Sequence, residues 1–157
     1  MKQICLLGLL VALSGCASTN THAEPPTGPM QVEQLLAEHD KFQQAYQAYQ
    51  PTEAEIAAMQ RLAGKRIVVL FGTWCHDSQR EVGRLLKLIE VAKPQLAELK
   101  LVAADYQKHI PDGLHQRLNL VYTPTIYLFD GQTELGRVIE RPMGNLAEDL
   151  AGFLPQG

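Results

Sequence analysis

The apolar positions of the chain change period along its length, and each change marks an element. Residues 66–72, RIVVLFG, form an unbroken apolar run closed by glycine, the pattern of a strand buried on both faces. Residues 99–105, LKLVAAD, read as a second buried strand. Between them Val82, Leu85, Leu86 and Ile89 recur at helical spacing, which predicts an amphipathic helix ending before Pro94. Val32, Leu35, Leu36, Phe42, Tyr46 and Tyr49 give residues 31–50 the same period. One helix is expected there, and packing on its own domain is favoured over use of its tyrosines as a binding face. Another helix begins after Thr52, which has capping-box spacing to Glu55, with Gly64 as its C-terminal stop. A looser segment with a short helix around Leu114 to Leu118 follows the second strand. Residues 125–140 read as two strands joined at Asp130-Gly131, and residues 145–154 as a last helix capped by Asn145. The order strand, helix, strand, helix, hairpin, helix predicts an α/β sandwich. A parallel pair and an antiparallel hairpin make its sheet, with helices on both faces.

With 157 residues, 46% hydrophobic and 20% charged, the chain suits one compact domain with appendages. A net charge of −3 leaves no basic excess to neutralise phosphates and argues against nucleic-acid partners. The first appendage is residues 1–18, MKQICLLGLLVALSGCAS, where Lys2 precedes an apolar run from Ile4 to Leu13. That run is too short to span a bilayer and reads as a secretion signal. It ends in Leu13-Ser14-Gly15-Cys16, which resembles the lipobox of bacterial lipoproteins. The resemblance implies a signal peptide over residues 1–15, cleavage before Cys16 and lipid on the Cys16 sulfur. The alternative is an ordinary signal peptide cleaved nearby. Ala17 stands where an Asp would be expected to favour inner-membrane retention, so anchoring in the outer membrane, facing the periplasm, is expected. Residues 16–30 are polar and rich in Pro and Thr and read as a flexible tether. Residues 31–50 are then an N-terminal helical extension, and residues 51–157 the main domain.

Of the three cysteines, Cys5 leaves with the signal and the Cys16 sulfur is capped by its lipid. Cys75 is left as the one thiol, in an oxidising compartment and with no intramolecular partner. It stands in TWCHDS, residues 73–78, at a strand-to-helix junction, and YTPT, residues 122–125, precedes the hairpin. With the element order, these motifs resemble the thioredoxin superfamily over residues 66–154. TWCHDS matches that family's W-C-x-x-C motif except at its last position. YTPT matches the cis-proline loop that faces the family's active-site thiol. The resemblance implies a thioredoxin-like three-layer α/β/α sandwich and a role in secreted thiol–disulfide exchange. Three positions depart from it. Ser78 replaces the resolving cysteine, Gly83 stands where a helix-kinking proline is usual, and Val69 occupies the place of a buried acid that assists proton transfer. A dithiol reductase is therefore disfavoured. An ordinary helical glycine costs roughly 1 kcal/mol relative to alanine, so Gly83→Ala is expected to stabilise unless a neighbouring backbone crowds it.

The expected catalytic residues are Cys75, His76 and Ser78. A free cysteine is mostly protonated at neutral pH, but a helix N-terminus favours its thiolate. Ser78, one turn on, could donate a hydrogen bond to the sulfur; a protonated His76 adds positive charge, and Asp77 opposes or pairs with it. Trp74 shields one side of the sulfur, and the Thr123 backbone beside a cis Pro124 offers a substrate-binding edge for an extended peptide. Such a thiolate forms mixed disulfides that it cannot resolve alone. The partners expected are disulfide- or thiol-bearing client proteins and small thiols, with the membrane reached through lipidated Cys16. No cofactor and no metal are expected: a copper site at Cys75 and His76 lacks a second cysteine at ligand spacing, and peroxiredoxin-type chemistry lacks its Thr and Arg. The competing reading is an inert Cys75 on a fold reused as a binding module. His22, His39, His109 and His115 read as solvated, and Asp105 and Glu140 as solvated or structural.

Overall fold

The computed structural model describes residues 23–155. The expected signal peptide, Cys5 and Cys16 lie outside the described residues. The strands are β1 (Gly28–Met30), β2 (Arg66–Phe71), β3 (Glu98–Ala103), β4 (Thr125–Asp130) and β5 (Thr133–Ile139). The helices are α1 (Val32–Glu38), α2 (Asp40–Ala48), α3 (Glu53–Gln60), α4 (His76–Ala92), α5 (Leu114–Arg117) and α6 (Leu146–Gly152).

The strands form one sheet in the order β1-β3-β2-β4-β5. β2 is central, parallel to β3 and antiparallel to β4, which is why its residues are apolar on both faces. β4 and β5 form the antiparallel hairpin, Asp130 pairing with Thr133 across a turn at Gly131 and Gln132. β1 corrects the expectation for the tether. Its last three residues, Gly28–Met30, pair antiparallel with β3 as an edge strand.

Alternate residues of β2 face two unequal layers. Ile67, Val69 and Phe71 meet Leu35 of α1, Phe42 of α2, Met59 of α3, and the apolar sides of α4 and α6 in one core. Val68 and Leu70 face a smaller core with Ile110 and Tyr127, covered by Leu114, Leu118 and Leu120. Among the described residues helices do lie on both faces, but the second layer holds only the single turn of α5.

The helix expected over residues 31–50 is two helices. His39, at φ −130° and ψ 89°, breaks it. Its N–H closes α1 on the Leu35 carbonyl, and its own carbonyl accepts from Phe42 and Gln43 in the first turn of α2. Both helices bury their apolar side in the domain's own core, at Leu35 and Phe42. The α3 capping box is present: the Thr52 hydroxyl accepts from Glu55 N at 3.3 Å, and Glu55 accepts from Thr52 N at 2.8 Å. After α3, Gly64 takes φ +75°, a conformation that favours glycine. The α4 helix ends at left-handed Lys93, φ 48°, just before Pro94. Asn145 caps α6 by accepting from Glu148 N at 2.9 Å.

Gly83 departs from the ordinary helical glycine. A Cβ there would lie 2.7 Å from the Ala45 Cβ and 2.8 Å from the Phe42 carbonyl oxygen. The backbone of α2 crosses α4 at this point, and only a residue without a side chain admits it.

Candidate thiol site

The site forms where β2 hands over to α4. After Phe71 the chain turns through Gly72, Thr73 and Trp74, and the Cys75 N–H closes the turn on the Gly72 carbonyl at 3.1 Å. Cys75 is the N-cap of α4, with extended backbone. Gly72 has a steric role: a Cβ there would fall 2.6–2.9 Å from the Trp74 indole. The indole therefore folds back over the turn, donates from Nε1 to the Ala104 carbonyl at 3.3 Å, and packs on Tyr106 at 5.5 Å between ring centroids. Trp74, the sequence neighbour of the half-buried Cys75, is thus fixed by Ala104 and Tyr106.

The loop before β4 reaches the thiol directly. The Thr123–Pro124 peptide bond is cis, as the resemblance implied. The Thr123 carbonyl faces the sulfur, with Cys75 Sγ donating to it at 3.0 Å. Two bonds hold the loop: the Thr125 hydroxyl donates to the Tyr122 carbonyl at 2.7 Å, and Glu140 N to the Pro124 carbonyl at 2.8 Å. Both Thr123 and Pro124 are buried.

Ser78 and the sulfur are not hydrogen-bonded to each other. Ser78 is 0% exposed, and its Oγ turns into the core to accept from Gly72 N at 3.2 Å. The Cys75 side chain makes no capping bond to the N–H groups of α4 either; its hydrogen bond goes across to Thr123. Thus Ser78 braces the turn that presents the thiol, and the thiol's own hydrogen bond goes to Thr123.

His76 is exposed at the first position of α4. Asp77 pairs with arginines instead of His76: Arg80 at 2.7 Å and Arg141 at 3.2 Å. Burial opposes its charge, but hydrogen bonds from those guanidiniums, and their charge, hold the Asp77 carboxyl below its ordinary range. The Arg141 bond ties the segment after β5 to the start of α4 across 64 positions of sequence. Sequence reading missed this residue, and no local pattern could have shown it.

A second missed feature is an exposed apolar collar. Five large apolar side chains are exposed on segments that hold the site: Tyr106, Val121, Tyr122, Ile139 and Met143. Tyr106 packs on Trp74, Val121 and Tyr122 precede Thr123, Ile139 pairs with Thr125, and Met143 lies two residues past Arg141. Single exposed apolar residues are ordinary; these five all belong to segments that frame the thiol. Among the described residues, no group of three or more His, Cys, Asp and Glu side chains is placed to hold a metal ion. His115 accepts from Ile110 N at 3.0 Å, and Asp105 from His109 N at 2.7 Å, so both serve loop closure.

This sheet, with a thiol at the end of its central strand facing a cis-proline loop, is a thioredoxin-like α/β sandwich. No protein-family model matches the sequence, and no curated protein matches it. Solved structures do. A protein of unknown function from Pseudomonas aeruginosa is 26% identical at a TM-score of 0.51, over 71% of this chain and 64% of that one. The match thus spans less than two thirds of that protein's length. An HIV epitope scaffold is 24% identical at a TM-score of 0.50, over 77% of this chain and 73% of that one. Mitochondrial thioredoxin 3 of Saccharomyces cerevisiae, in its oxidised form, is 20% identical at a TM-score of 0.38, over 60% of this chain and 86% of that one.

Proposed function

We propose that this protein exchanges disulfides through one nucleophilic sulfur, that of Cys75, at a membrane surface to which lipidated Cys16 anchors it. The observation that carries the reading is the apposition of Cys75 Sγ and the Thr123 carbonyl, 3.0 Å apart, before a cis Pro124. In the proposed reaction the Cys75 thiolate attacks one sulfur of a substrate disulfide, forming Cys75–S–S–R and releasing the other half as a thiolate. No net oxidation occurs. Because Ser78 supplies no second thiol, the substrate's own thiol or a small thiol resolves the adduct and regenerates Cys75. That balance fits isomerisation or exchange with clients and does not fit net reduction. An extended client segment would lie along the Thr123 edge, its apolar side chains against the collar. His76 contributes positive charge at the mouth when protonated. The signal-like residues 1–15 and the lipobox-like Leu13-Ser14-Gly15-Cys16 support a domain held at the outer membrane and facing the periplasm.

One observation favours a second reading, a redox-inactive binding module. The Cys75–Thr123 hydrogen bond requires the thiol proton, whereas attack requires its loss. The sulfur must therefore leave this bond before it reacts. In the second reading it stays there, and the collar alone binds partners.

Non-reducing electrophoresis separates the two. Wild type incubated with an oxidised client should form mixed disulfides that Cys75→Ser lacks, and Ser78→Cys should clear them and turn over a model disulfide. A wild type without adducts, beside a Ser78→Cys variant that forms its disulfide yet stays inactive, leaves the binding module standing. Fatty-acid labelling lost in Cys16→Ala supports the anchor; an unlabelled mature protein rejects it.

A further inference from the structure

The thinly covered face of the sheet leaves a cleft of about 270 Å³ at the end remote from Cys75. Its floor is Val68 of β2 and Phe129 of β4, and Leu114 of α5 with Leu118 just after it supplies one wall. Strand register places the charges. Arg66 lies opposite Glu98 on one side and Phe129 on the other, and Lys100 is opposite Val68. Arg66 and Lys100 thus project from adjacent strands onto the same face, two residues out of step. Arg117 of α5 completes the rim.

Three cations around an apolar floor need counter-charge, and what is present is thin. Glu98 reaches Arg66 at 3.6 Å and Asp112 reaches Arg117 at 3.7 Å, both from half-exposed positions. Among the described residues Lys100 has no ion pair. The Arg66 guanidinium lies 4.5 Å over the Phe129 ring, and its Nε is buried with no hydrogen-bond partner. Buried donors are normally satisfied, so Arg66 reaches the cleft with its hydrogen-bonding capacity only partly used. We infer that this cleft binds a small amphipathic carboxylate, its apolar body on Val68, Phe129 and Leu118 and its carboxylate among Arg66, Lys100 and Arg117. The volume, just under the usual range of about 300–1,000 Å³ for ligand pockets, limits that body to a short alkyl chain or a single ring. The position at the start of β2 and β3, away from the thiol, makes the site independent of the redox reading.

The test is an amide NMR titration of the full chain with octanoate, set against octanol and acetate. Octanoate should bind saturably, moving the amides of Val68, Lys100, Leu118 and Phe129. Octanol, without the charge, and acetate, without the chain, should each bind at least tenfold more weakly. Lys100→Gln should weaken octanoate at least fivefold, Lys100→Arg should restore it, and the melting temperatures of both should stay near the wild-type value. Three results would overturn the inference: no saturation at millimolar octanoate, equal binding of octanol, or unchanged affinity in Lys100→Gln.

Discussion

One face of the sheet carries α1 to α4 and α6, closing Leu35, Phe42, Met59, Leu85 and Leu150 against the strands. The opposite face of the same strands carries one helical turn and a loop, and Leu114, Leu118 and Leu120 over it are only partly buried. The strands do not cause the difference, since Val68 and Leu70 are as apolar and as buried as Ile67 and Val69. The cover does. Burial contributes roughly 25 cal/mol per Å² of apolar area, so stability concentrates where five helices interlock. The thin face keeps a cleft, at the far end from the thiol.

The largest expected effect tests that contrast directly. Phe42 is fully buried on the helical face, edge-on to Phe71 at 5.6 Å. Phe42→Ala should cost about 3–5 kcal/mol. Leu118→Ala, on the thin face, should cost about 1 kcal/mol, near the centre of the range for point substitutions. Equilibrium denaturation of the two variants beside the wild type decides; similar losses would mean that the thin layer carries as much stability as the thick one.

A middle-sized effect sharpens the account of the helical face. Gly83→Ala should destabilise by about 1–3 kcal/mol, since the added methyl meets the Ala45 methyl and the Phe42 backbone and overpacking costs that much. The usual helical gain is overturned by the α2 crossing. Gly152, near the end of α6, has nothing within 4 Å of an added Cβ. Gly152→Ala should be neutral or gain up to about 1 kcal/mol. Thermal melts of both variants read the opposite signs; stabilisation by Gly83→Ala would show that the two helices can part at little cost.

Those two glycines also show where sequence was legible. The parts set by local periodicity could be read: β2, β3, α4, the β4–β5 hairpin, and the caps at Thr52 and Asn145. The cis bond before Pro124 was legible through a family motif. What failed was whatever a distant partner decides. Gly28–Met30 is a strand only because β3 offers an edge to pair with. Residues 31–50 keep a helical period through His39, which hides the break. The hydroxyl of Ser78 had two destinations, the sulfur or the core, and the Gly72 N–H took it. Asp77 adjoins His76 in sequence, while its partner Arg141 arrives from the far side of the hairpin. Local pattern sets elements; it does not say which neighbour claims a polar atom.

The smallest effect is a pH dependence at the outer seam of the helical face, where the Tyr49 hydroxyl after α2 donates to Glu55 at the start of α3. Burial opposes the charge on Glu55, but hydrogen bonds from Tyr49 and from the N–H and hydroxyl of Thr52 outweigh it and hold the carboxyl below its ordinary value. Burial, reinforced by the Glu55 carboxylate, pushes the Tyr49 hydroxyl far above its own range, so it remains a donor throughout the acid and neutral range. The sign follows from Glu55. Its folded value lies below its unfolded one, so its stabilisation is fully present above the unfolded range, about pH 4.3. It is lost as pH falls through the lower, folded value. Tyr49→Phe should cost about 1 kcal/mol at neutral pH, and the gap to wild type should narrow on acidification as the carboxylate is protonated in both. Leu118→Ala, on the thin face, should keep the wild-type slope. Urea denaturation between pH 3 and 7 measures the three curves. A Tyr49→Phe curve running parallel to wild type throughout would show that the tyrosine packs the seam without holding the charge, and the pH sensitivity would then lie outside the helical face.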